Sequence, residues 1–466
     1  MKVLNTLVEK TMEKFVNLEY AQIYQKKLGT EYAVIENPGH IYPAFELVPL
    51  AKKITTPRFL LSAAVMDMDG TTTTTETLCL HSLEYMIRQM SGKSLKSDWA
   101  GLDKSIDYPH IIGNSTTKHV EFLIKRYANF LDDSIIVHSY LYAAIWTLLV
   151  GKDKKRKEEV AVNLKNFRIG FVIAACENFR YVAGVNSENK IEALVSELLP
   201  DVLGKFNAIG FGNHVKAGID IYYQRYHYIL KKISEGKSRE ISKEIFNDET
   251  LKMIEPMQGI EVLLPLIKGW LGNEAGNLAD ILIDDFYKKH PGTIRKIDSN
   301  EVANKLNKLS EKFAGAPLKV AIVTSSIFYE ADIVMSEVFN ILYERVDLLP
   351  LSNHIKENLK TKYEKYQNYY DAFVTASDSN EIRLKPFRDL YSIALHNLGI
   401  TRDMFETVIG FEDSESGTIA IRSAGVGLCV AVPFAETSGH DLSAAAFIAH
   451  GGIPEIIIDK NIYLES

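Results

Sequence analysis

The sequence predicts an α/β protein: a doubly wound parallel sheet into which a large helical segment is inserted after the first strand. Three observations predict it. An apolar run, Phe59 to Met66, ends in two carboxylates, Asp67 and Asp69, followed by Gly70. From Lys319 onward, short apolar runs alternate with helix-patterned stretches, as parallel sheets with crossover helices require. Between these regions the alternation is missing, and helix-like runs broken by Gly and charged turns take its place.

Taken in order, residues 1–58 read as a helical N-terminal extension. It opens on an amphipathic helix without the apolar core or cleavage site of a signal peptide, and closes on the loop Asn37-Pro38-Gly39-His40. Residues 59–71 form the first catalytic strand and its turn. Residues 72–317 are expected to form the all-helical insertion, with helices over Val120–Phe130 and Val160–Phe167. Its most apolar stretch, Ile135–Val150, carries His138 and Ser139 and is too short for a comfortable span, so a buried helix is expected. The basic run Gly151–Lys157 reads as a solvated loop or helix start. Residues 318–466 complete the core. Strands are expected at Val320–Val323, Phe373–Thr375, Val408–Phe411 and Leu428–Val432. Helices are expected at Asp389–Leu398, stopped by Gly399, and at Ser416–Ala424, stopped by Gly425.

Composition narrows the class. At 466 residues with 46% hydrophobic and 24% charged residues, the chain resembles a soluble globular protein of two or three domains. The net charge of −7, with both signs interspersed, leaves no basic stripe, so nucleic acid is not an expected partner. No membrane partner is expected either. Cys79, Cys176 and Cys429 are too far apart for a metal pattern or an evident disulfide framework, which suits a cytoplasmic location. Nothing in the sequence sets an oligomeric state.

Four segments carry the chemistry. The first is Val65-Met66-Asp67-Met68-Asp69-Gly70-Thr71. A buried strand that ends this way delivers acids to the C-terminal edge of a sheet, where open α/β sheets bind ligands. Gly70 permits the turn that brings two carboxylates to one site. The second, Lys319 to Ser326, is an apolar strand ending in the hydroxyls of Thr324, Ser325 and Ser326. The third, Arg383 to Tyr391, contains Lys385-Pro386 and opens a helix. The fourth, Val408 to Gly417, ends its strand in Glu412-Asp413. Singly, each has a bland reading: a cap, a strand-end hydroxyl, a surface lysine. In this order and at these strand ends they fit one catalytic site.

These segments resemble the haloacid dehalogenase-like (HAD) superfamily, above all the branch of beta-phosphoglucomutases and small-molecule phosphatases, whose last motif commonly reads FEDSxxG. The resemblance covers the surroundings of Asp67 and the stretch from Lys319 to Asp459, and it implies a Rossmann-like core with a helical cap, here enlarged. It implies that Asp67 is the nucleophile and forms an aspartyl-phosphate. Asp69 is then the general acid/base and a metal ligand through its carbonyl. Thr324 binds a phosphoryl oxygen, Lys385 neutralises charge, and Asp67, Asp69 and Asp413, with Glu412, hold Mg²⁺. Ser325 and Ser326 either touch phosphate or bond their own turn.

The sequence also departs from the pattern. Leu384 replaces a common Gly. Thr74-Thr75 stands where an Asp-Thr pair often opens the cap helix, and Thr74 or Thr75 is expected to cap that helix. His81 is expected to be structural. Ile112-Gly113-Asn114-Ser115 resembles a cap turn near substrate, but Thr116 follows where mutases commonly carry an Arg for a second phosphate. The expected activity is Mg²⁺-dependent hydrolysis of a small phosphorylated metabolite. The alternatives are a phosphomutase and a catalytically silent binding or regulatory protein.

Overall fold

The computed structural model describes residues 15–465 apart from 38–40, 112–115, 184–187, 207–209, 291, 379–382, 435–436 and 438. Most of the amphipathic N-terminal helix, the tip of the Asn37–His40 loop and the Ile112–Ser115 turn therefore lie outside the described residues. In chain order the strands are β1 (Glu31–Glu36), β2 (Phe45–Leu50), β3 (Ala63–Asp67), β4 (Thr73–Thr74), β5 (Glu255–Pro256), β6 (Lys319–Val323), β7 (Ala372–Val374), β8 (Val408–Glu412), β9 (Leu428–Ala431) and β10 (Phe447–Ile448).

Six of them make one sheet in the order β10-β9-β8-β3-β6-β7, and every pairing is parallel. The first strand of this sheet, β3, is its centre. The chain then builds outward through β6 and β7, crosses back, and builds outward again through β8, β9 and β10. That reversal makes the ends of β3 and β8 a topological switch point, where a crevice opens at the carboxyl edge.

All five residues of β3 are buried, which explains its unbroken apolar reading. Ala64, Met66, Ile322 and Phe411 join the larger core on one face. Ala63, Val65, Ala321 and Val323 join a second core with Leu390, Ala394, Ala420 and Ile421 on the other. The latter four come from helices Asp389–Asn397 and Glu415–Ser423, both close to their expected ranges.

Between β4 and β5 the described elements are helices, among them Glu76–Ser91, Asp133–Leu149, Lys154–Asn166 and Phe211–Ser234. Asp133–Leu149 is buried as expected, and no helix among the described residues is long and apolar enough to cross a membrane. The basic run starts Lys154–Asn166, with Asp153 as its N-cap accepting the Arg156 N–H at 2.5 Å.

One place differs from the sequence reading. The extension is not only helix and loop: after the helix Leu18–Leu28, β1 and β2 form an antiparallel hairpin. The buried Arg422 guanidinium ties it to the core, donating to Glu31 and, at 2.7 Å, to the Ala51 carbonyl. Beside the turn after β3, β4 pairs with β5 (Thr73↔Pro256). The helices after β5 pack on the sheet side of the molecule. Leu318 N–H donates to the Ile267 carbonyl, Tyr369 hydroxyl to the Leu264 carbonyl at 3.0 Å, and Lys305 Nζ to the Ile458 carbonyl at 2.7 Å.

Candidate active site

The four segments converge at the carboxyl edge of β3. Parallel register places Asp67 opposite Val323, one residue before Thr324, and Met66 opposite Phe411, one residue before Glu412. Adjacent parallel strands in register end together, so their terminal side chains share one edge.

Asp67 is 6% exposed, and Lys385 Nζ donates to its Oδ1. Its Oδ2 meets no donor among the described residues, and Asp67 lines the central cavity. Lys385 Nζ also donates to Glu412 Oε1 at 2.7 Å. Glu412 is 0% exposed and heavily bonded. Its Oε1 accepts the Tyr391 hydroxyl as well, at 3.2 Å, while Oε2 accepts Asp413 N–H and Ser414 N–H at 3.0 Å each and the Ser414 hydroxyl at 2.9 Å. Five donors exceed the roughly four lone-pair sites of a carboxylate. Glu412 therefore acts as a bracket that fixes the Lys385 ammonium against Asp67.

The last Gly of the motif has a matching reason. A Cβ on Gly417 would sit 1.6 Å from Glu412 Oε1, so only Gly leaves room for the bracket. Gly70, at φ +81°, would place a Cβ 2.7 Å from Asp413 Oδ2 and 2.6 Å from Phe434. It is required both for the turn and for the approach of Asp413.

Asp69 stands across from Asp67 on the turn. Its Oδ1 accepts the Thr75 hydroxyl at 2.5 Å, and its Oδ2 accepts Ser326 and Thr324 hydroxyls at 3.3 and 3.4 Å. Its carbonyl accepts no hydrogen bond from the described residues. Thr75 is the N-cap residue of Glu76–Ser91, yet its side chain makes no capping bond, because it is turned to Asp69. The capping role expected for it gives way to a site role. Ser325 is exposed on the cavity wall, whereas Ser326 bonds Asp69. Thr71 donates to Asp413 Oδ1 at 3.4 Å.

Four carboxylates around one ammonium make an acidic site. Burial pushes Asp67 well up, and the Glu412 and Asp69 charges push further, while Lys385 opposes them. Burial raises Asp413 well above the usual range, reinforced by Glu412, Asp67 and Glu76. Burial raises Asp69 too, against its Thr75 hydrogen bond. Glu412 is also desolvated, but Lys385 and its hydrogen bonds hold it below the usual carboxylate range. Lys385 is desolvated in turn, yet Asp67 and Glu412 hold its ammonium raised.

This excess of negative charge suits a cation. Asp67, Glu412 and Asp413 each offer a carboxylate oxygen within 4.8 Å of the others. These are hard oxygen donors of the kind a divalent cation takes. Asp67 and Asp413 have oxygens to give, whereas those of Glu412 are occupied by the chain.

Asp67, Asp69, Thr324, Ser325, Lys385 and Asp413 all line one cavity of about 610 Å³, and Glu412 lies behind it. The opposite wall comes from the inserted helices, and its residues were not singled out by the sequence reading. Arg156 is buried there, 3.0 Å from Asp220 and 2.9 Å from Glu159. Tyr223, Tyr226 and His227 line the cavity from Phe211–Ser234, and His227 Nε2 lies 2.8 Å from Glu330 Oε1 on the core helix Phe328–Arg345. His81 is internal, as expected: burial and the neighbouring Arg225 and Arg88 hold it neutral, with its pKa lowered to about 3. Arg126 is spent on Asp107 at 2.8 Å.

No family model matches the chain, and no curated protein matches it. Solved structures overlap it loosely. CbbY from Rhodobacter sphaeroides in complex with phosphate overlaps with a TM-score of 0.36 at 12% identity, covering 86% of this chain and 100% of that one. A CbbY mutant in complex with xylulose-(1,5)bisphosphate gives 0.35 at 13% identity, covering 84% and 96%. A protein assigned as a beta-phosphoglucomutase from Thermotoga maritima gives 0.31 at 15% identity, covering 86% and 97%.

Proposed function

We propose that this protein is a HAD-like, Mg²⁺-dependent phosphatase that hydrolyses a small-molecule phosphate monoester through an aspartyl-phosphate on Asp67. The observation that carries the reading is the placement of Asp67. One of its oxygens is held by Lys385 and the other is left without a donor at the cavity, with Asp69 beside it on the turn. A nucleophile and a separate proton carrier within one enclosed site are what stepwise phosphoryl transfer needs.

Asp67 Oδ2 attacks phosphorus, and the bond from phosphorus to the ester oxygen breaks. Asp69, whose pKa burial raises, passes its proton to the departing alkoxide. Asp69, now a carboxylate, accepts a proton from water as that water attacks the aspartyl-phosphate, which frees inorganic phosphate and restores Asp67. Lys385 offsets the charge on the phosphoryl oxygens, and Glu412 keeps it in place. Thr324 and Ser326 orient Asp69, and Ser325 is free to meet phosphate. Asp67, Asp413 and the Asp69 carbonyl would hold Mg²⁺, which supplies electrostatic neutralisation of carboxylates and phosphate.

The reading includes a division of the chain. Residues 59–74 and 255–466 form the core, residues 75–254 form the cap that roofs the cavity, and the β4/β5 crossing serves as hinge. The test is a panel of phosphorylated metabolites assayed for phosphate release with Mg²⁺. Turnover that EDTA abolishes supports the reading, and EDTA-resistant turnover or none at all refutes it.

A further inference from the structure

The phosphate half of the cavity leaves the other half unexplained. Beyond the phosphate site its wall carries Glu76, Asp153, Glu159 and Glu330 against Lys155 and Arg156. Arg156 already faces two carboxylates through Nη2, while its Nε meets no hydrogen-bond partner among the described residues. Its guanidinium lies 3.0 Å from Asp220 and 2.9 Å from Glu159, and stacks 4.6 Å from the Tyr223 ring centroid. A second phosphate on a substrate would therefore meet a negative field with its one buried guanidinium already neutralised.

Two buried polar groups are left open at this wall. Glu330 is 7% exposed. Its Oε1 takes His227, and its Oε2 meets no donor among the described residues. Tyr226 is 9% exposed, and its hydroxyl meets no partner among them. Both residues line the cavity, where a ligand can supply the hydrogen bond that the described residues do not. The surrounding wall is aromatic. Tyr222, Tyr223 and Tyr226 follow one helix face, with Tyr222 and Tyr226 ring centroids 5.6 Å apart, and Tyr223 and His227 likewise 5.6 Å apart. An unpaired carboxylate oxygen beside aromatic faces is the chemistry that recognises an ammonium group.

Resting on the phosphatase reading, we infer that the substrate is the phosphomonoester of a small amino alcohol, its ammonium group seated between Glu330 and the tyrosine wall while Asp67 takes its phosphate. His227 positions Glu330 from the cap. One ligand would thus touch the core through its phosphate and the cap through its cation, which draws the two together around the reacting bond.

The test compares matched esters on the full chain with Mg²⁺: 2-aminoethyl phosphate, ethyl phosphate, glycerol phosphate, 3-phosphoglycerate and a sugar bisphosphate, with p-nitrophenyl phosphate as a generic probe. The amino ester should exceed ethyl phosphate in kcat/KM by about ten-fold or more, and the anionic esters should be poorest. In Glu330→Gln the ratio of amino ester to ethyl ester should collapse toward unity, and in Tyr226→Phe it should fall less. The ratio separates recognition from a general fold defect, which lowers both rates alike. A preference for neutral or anionic esters, or a ratio unchanged in Glu330→Gln, overturns the inference. Calorimetric affinities in Asp67→Asn must show the same order. That order without any turnover in the parent would sink the phosphatase reading and leave the ammonium site standing, whereas generic turnover with the order reversed would do the opposite.

Discussion

Replacing Gly417 by Ala adds one methyl group on helix Glu415–Ser423, where φ is not in the left-handed region. On backbone grounds alone the change should stabilise a helix by up to about 1 kcal/mol. The structure reverses that sign. The new carbon would lie 1.6 Å from Glu412 Oε1 and 1.8 Å from its Cδ, so the carboxylate must leave its place. Leaving breaks its bonds to Lys385, Tyr391, Ser414 and the Asp413 N–H, at a residue that is fully buried. Disrupting one partner of a buried ion pair costs about 3–5 kcal/mol. At about 2.1 cal/mol/K per residue, cooperative unfolding of 466 residues has an entropy near 1 kcal/mol/K, which converts the loss to a fall in Tm of about 3–5 °C. Lys385 loses its bracket at the same time, so phosphate release should fall by about 10²-fold or more, the scale for losing one preorganised charge-stabilising donor. Calorimetry and a steady-state phosphate assay read both numbers. A variant whose Tm is unchanged or higher, with kcat within about two-fold, would refute the bracket role of Glu412.

Three further outcomes follow from the same geometry. Asp67→Asn should abolish turnover with the fold retained, read by phosphate release and circular dichroism. Asp413 is raised well above the usual range, so its favourable contribution is present below about pH 4 and lost as pH rises through its folded-state pKa. Asp413→Asn should therefore raise Tm in EDTA at pH 7, with the gain vanishing toward pH 4, and should abolish the stabilisation that Mg²⁺ gives the parent; thermal scans with the opposite sign would contradict this. Thr75→Val removes a hydrogen bond that holds Asp69 down, so the titration of Asp69 in the pH–rate profile should move to higher pH; an unmoved profile would count against Asp69 as the proton carrier.

The site was legible where its chemistry is local. Asp67, Thr324 and Glu412-Asp413 each close an apolar strand, and strand order at one sheet edge brings them together with no further information. Lys385 was legible because its Pro and the following helix stand beside it. That Glu412 also brackets Lys385 was not legible, since it depends on which donors its two oxygens meet. Thr75 sat in a run of threonines where capping was the plain expectation. Arg156 was hidden in a lysine-rich run, and Tyr226, His227 and Glu330 look like ordinary residues of amphipathic helices until tertiary packing turns them toward one cavity. The hairpin was missed although Glu31–Glu36 alternates in burial, because the adjoining Pro and Gly drew the reading to a loop. A crossing as short as Thr73–Thr74 on Glu255–Pro256 leaves no periodic signal at all.

The central claim is a covalent phosphoryl group on Asp67. Acid quenching during turnover of the preferred ester, followed by peptide mass spectrometry, should place phosphate on the peptide carrying Asp67 in the parent and on no peptide in Asp67→Asn. Turnover with phosphate found on another residue, or undiminished in Asp67→Asn, would contradict the account.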